Sequence, residues 1–113
     1  MEKSAEEVIV ILTNAPDRAT AAKMVAHLLE NKQAACVNEL PPVRSTYLWQ
    51  GRIETAEEVP LLIKTTRRRY AAVEASIRAA HPYEVPEIIA LPVVAGLPTY
   101  LGWVVGEVNE VSD

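Results

Sequence analysis

Val8-Ile9-Val10-Ile11-Leu12 is an unbroken run of β-branched and aliphatic side chains. Successive side chains of a strand point to opposite faces, so a run that is apolar at every position reads as a strand buried on both faces. Thr13-Asn14-Ala15-Pro16 ends it. Asp17 is placed to cap a helix in which Ala21, Val25, Leu28 and Leu29 recur at helical spacing while Lys23, His27 and Glu30 fall elsewhere. The pattern predicts an amphipathic helix of about four turns.

Beyond that helix, Cys36 to Asn38 opens a second extended stretch, interrupted by Pro41-Pro42. It resumes with Val43, Ser45, Tyr47 and Trp49 alternating with Arg44, Thr46 and Leu48. Gln50-Gly51 turns the chain, and a return strand runs from Ile53 and Glu54 to Leu61-Leu62-Ile63-Lys64-Thr65, so a long hairpin is expected. Pro60, which has no N–H to give, marks a bulge or an unpaired position in it. Thr66 is placed to cap a second helix with Tyr70, Val73, Ile77 and Ala80 as its apolar stripe, and Pro82 ends that helix. Ile88 to Val94 supplies the last strand, and Pro98 to Val104 a short terminal helix with its proline near the first position. The order β-α-β-β-α-β plus a tail is that of the α+β split βαβ, or ferredoxin-like, fold. Two helices cover one face of such a sheet, yet several strands are apolar on both. Burial is worth roughly 25 cal/mol per Å² of apolar area, so association of subunits into a closed symmetric assembly is the expected cover.

The chain has 113 residues, half of them apolar, which fits one domain over 1–113 with its core at about 8–105. Eleven basic against fifteen acidic residues give a net charge of −4, which provides no field for nucleic acid or anionic lipid. The single cysteine, Cys36, excludes an intramolecular disulfide, and no zinc-finger spacing is present. Met1 to Glu7 is acidic where a signal peptide is basic, and no apolar run reaches the roughly 18 residues of a membrane span. A reducing cytosol, with no membrane or nucleic-acid partner, is the expected setting. Phosphate loops, Ser-His-Asp orderings and HExxH are absent, so an enzyme is expected only through a cleft built between subunits.

His81-Pro82-Tyr83-Glu84-Val85-Pro86-Glu87-Ile88 is the most unusual segment, since each proline restrains the residue before it. In extended geometry His81, Tyr83 and Glu87 share one side, an imidazole, a phenol and a carboxylate in register for hydrogen bonding or metal ligation, and the plainer reading is a polar strut that locks a helix-to-strand corner at a subunit contact. With Lys64 they are the acid, base and anion-binding groups of a candidate intersubunit cleft. Trp49 and Trp103 are expected in interfaces, where large aromatics are favoured. Arg67-Arg68-Arg69 opens a helix and reads first as a solvated run; since positive charge there opposes the macrodipole, the alternative is an anion or the carboxylates of Glu54, Glu57 and Glu58 from a neighbour. Cys36 reads as a core residue, and His27 as a solvated one.

Five motifs occur in one order: Ala34-Ala35-Cys36-Val37-Asn38, Tyr47-Leu48-Trp49-Gln50-Gly51, Leu62-Ile63-Lys64-Thr65-Thr66, His81 through Ile88, and Tyr100-Leu101-Gly102-Trp103. Together they resemble the CutA divalent-cation tolerance family over about residues 8 to 105. The resemblance implies a ferredoxin-like protomer in a very stable homotrimer, a long hairpin reaching a neighbour, and a binding or scaffold role in tolerance of divalent cations, copper in particular, with no agreed catalysis. Some bacterial members carry a cysteine late in the first strand and a histidine pair before the Pro-Tyr. The matching positions here are Thr13, Ala80 and His81, so His81 alone remains as a metal ligand, and a copper-like cation is expected to bind weakly. The other expectations are a small-molecule sensor similar to the PII signalling proteins, marked by an anion at Arg67 to Arg69, and an uncharacterised enzyme.

Overall fold

A computed structural model describes residues 6–109; the opening Met1 to Ala5 and residues 110–113 lie outside the described residues. The elements are β1 (Val8–Ala15), α1 (Arg18–Glu30), β2 (Cys36–Glu39), β3 (Val43–Trp49), β4 (Arg52–Thr66), a 3-10 turn (Arg67–Arg69), α2 (Tyr70–Ala80), β5 (Ile88–Pro92) and α3 (Pro98–Val108). The antiparallel sheet runs β2-β4-β1-β5, with β3 paired to β4. With β2 and β3 counted as one interrupted strand, this is the ferredoxin-like order.

Alternation along β1 separates the two faces. Ile9, Ile11 and Ala15 join Leu61, Ile63 and Val59 of β4 beneath Ala21, Met24 and Leu28 of α1 and Val73 and Ile77 of α2, forming the core. Met24 stands in that core and Leu29 is exposed, so the buried stripe of α1 is rotated from the one its sequence gives. Ala80 is likewise exposed. On the other face Val10, Leu12 and Leu62 are half-buried, while Ile89 and Leu91 of β5 are 47% and 49% exposed. α3, three turns long rather than a short tail, packs against β4 and β1 and buries Val104 and Val108 outside the core formed with α1 and α2. The chain therefore covers part of its own second face and leaves the β5 side of it open.

Asp17 caps α1 as its position predicts, its carboxylate accepting from the Thr20 amide at 2.7 Å. Thr66 makes no side-chain cap bond, because the 3-10 turn of Arg67–Arg69 intervenes before α2. Pro60 lies within a continuous β4, opposite Asn14. The irregularity falls on the partner strand: between Glu39↔Leu61 and Val43↔Glu58, three residues, Leu40 to Pro42, face two, Val59 and Pro60. The bulge thus belongs to the Pro41-Pro42 side. β1 ends opposite Val59, so Arg52 to Glu58 pair only with β3, and this hairpin extends beyond the rest of the sheet.

Candidate functional site

The His81–Glu87 segment is bent at Tyr83, Glu84 and Val85 instead of extended, and it closes on the end of β1 through Asn14. His81 is buried, and its Nε2 donates to the Asn14 carbonyl oxygen at 2.7 Å. Its Nδ1 accepts from the Tyr83 amide at 3.2 Å, which fixes the neutral Nε2–H tautomer. The Asn14 side chain donates in turn to Glu87 Oε1 at 2.8 Å. Glu87 follows from register, since Thr13 pairs with Ile88, the first residue of β5, and the residue before it comes up beside Asn14. The Tyr83 ring leans on the imidazole with centroids 4.4 Å apart. One asparagine therefore joins His81 and Glu87, a role its sequence position, inside an apparent turn, does not announce.

This corner forms one wall of an open groove of about 540 Å³ whose other wall is the projecting hairpin. Tyr47, Trp49, Glu54 and Glu58 face Tyr83 and Glu87 across it. Tyr47 sits directly opposite Glu54 in the β3–β4 ladder, which places both on one hairpin face. Burial pushes the Tyr83 hydroxyl above its ordinary value of 10.0, and the Glu58 carboxylate, then Tyr47 and Asp17, push it further. Trp49, Tyr83 and Glu87, all named from the sequence, thus come together, and Glu58 is the member whose role there was not foreseen.

Lys64 and Trp103 lie elsewhere in the protomer. Lys64 stands opposite Val10 and Cys36, and its ammonium donates to Asn38. Four residue steps along β1 take Val10 to Asn14, about 13 Å at the strand rise. Trp103 is on α3, where it packs with Tyr100 at 5.7 Å. Cys36 is half-buried rather than a core residue, and His27 is exposed. Arg67 pairs with Glu7 at 3.0 Å and Arg68 with Glu6 at 3.2 Å, while Arg69 donates to the Lys32 carbonyl. The acids that meet the arginines are therefore Glu6 and Glu7 of the same chain, and Glu54 and Glu58 turn to the groove. Thr13, fully buried, has a hydroxyl without a hydrogen-bond partner among the described residues. No three His, Cys, Asp or Glu side chains gather as a metal cage among the described residues.

The sequence matches the CutA1 divalent ion tolerance protein family over residues 9–107. The chain belongs to the CutA1 family. The CutA divalent-cation tolerance protein of Citrobacter koseri is 41% identical over 100 residues, covering 88% of this chain and 87% of that one. Among solved structures, CutA from Xylella fastidiosa superposes with a TM-score of 0.88 at 43% identity, covering 91% of this chain and 99% of that one. The periplasmic divalent cation tolerance protein CutA from Archaeoglobus fulgidus gives 0.87 at 36%, covering 90% and 99%. The motifs that first resembled CutA, from Ala34 to Trp103, all fall within the matched residues.

Proposed function

We propose that the chain acts in divalent-cation tolerance as a homotrimer in the cytosol, and that it is a binding or scaffold protein rather than an enzyme. The observation that carries the assembly is the uncovered apolar surface. Ile89 and Leu91 line the open side of the second sheet face, and Leu48 and Ile53, directly opposite each other near the hairpin tip, are 74% and 75% exposed. Soluble monomers rarely leave such patches wet, and a hairpin that projects beyond its own sheet is shaped to reach a neighbouring subunit. The role in cation tolerance is supported by the names of relatives such as the Citrobacter koseri protein, and the cytosolic setting by a lone cysteine that serves no intramolecular disulfide.

Direct copper binding is weak in this reading. His81 commits one nitrogen to a carbonyl and the other to an amide, so ligation would have to break the corner that the ring holds together. The anion-sensor alternative loses its motivating feature, because Arg67 and Arg68 are occupied by Glu7 and Glu6. The test is growth under copper of a bacterial host deleted for its own CutA. Restored tolerance by the wild type, and none by a Leu48→Glu/Ile53→Glu double variant, supports the proposal. Full restoration by that variant as a monomer contradicts it.

A further inference from the structure

We draw no further inference here: the strongest candidate, the open groove of about 440 Å³ between α1 and α2 with Met24, Leu28 and Ile77 on its floor and Lys23 and His27 along one lip, carries nothing because that lip is a pair of exposed surface side chains and nothing in the structure shows what covers it.

Discussion

The imidazole of His81 donates through Nε2 to the backbone carbonyl of Asn14 at 2.7 Å, tying the end of α2 to the end of β1 across 67 residues of sequence. The same ring accepts the Tyr83 amide, so one buried side chain satisfies two backbone groups at a corner where prolines at 82 and 86 leave few other partners. His81→Ala strands both groups and should destabilise the protein by about 2–3 kcal/mol. Chemical denaturation measures this. Copper affinity, read by calorimetry on the same variant, should be unchanged. Submicromolar copper binding by the wild type that vanishes in a still-folded His81→Ala protein would make the imidazole a ligand instead.

Thr13 presents the opposite case, a buried hydroxyl with no partner among the described residues, on the face that packs under α1 and α2. Thr13→Val keeps the shape and removes the unpaired polar atom, so it should stabilise the fold by about 1 kcal/mol. A shift of the urea midpoint to higher concentration with an unchanged slope is the expected result. A loss of stability would mean that the hydroxyl has a partner, such as a water, that the valine cannot replace.

The architecture was legible in the sequence and the site only in part, for a physical reason. β1 announced itself because every position from Val8 to Leu12 is apolar, and Asp17 because an acid before a helical period has a local job. The groove depends on long-range register: Asn14 meets Glu87 only because β1 pairs with β5, and Glu58 meets Tyr83 only because the His81–Glu87 corner bends toward the hairpin. Neither pairing leaves a mark at fixed spacing. Arg67 and Arg68 likewise meet Glu7 and Glu6 across 60 and 62 residues of sequence, a pairing that no local pattern announces.

The acid sensitivity of α1 follows from its cap. The Thr20 amide holds the Asp17 carboxyl below its ordinary 3.8. A depressed folded value means that the contribution of Asp17 is present in full above 3.8 and is lost as the pH falls through the lower folded value. Asp17→Ala should lower the melting temperature at neutral pH, and the difference from wild type should close as melts are repeated at successively more acidic pH. A difference that persists below the folded value would assign it to something other than the ionised cap.

The hairpin turn makes a separate demand on the backbone. Gln50 and Gly51 both have positive φ, 52° and 79°, as a tight two-residue turn between Trp49 and Arg52 requires. Nothing lies within 4 Å of a Cβ added at Gly51, so Gly51→Ala isolates the backbone cost, about 1–2 kcal/mol. Gln50→Asn should move stability the other way by a few tenths of a kcal/mol, because asparagine tolerates the left-handed region. Thermal melts of the two variants should fall on opposite sides of the wild type; equal melts would remove the turn from the account.

The uncovered face of the sheet and the Leu48–Ile53 pair at the hairpin tip are proposed as subunit contacts. Sedimentation equilibrium of the untagged wild-type protein at micromolar concentration tests this most directly, because mass is read without any assumption about shape. A single species of three chain masses that does not dissociate on dilution is the expected result, and a stable monomer over the same concentrations would rule out the trimer.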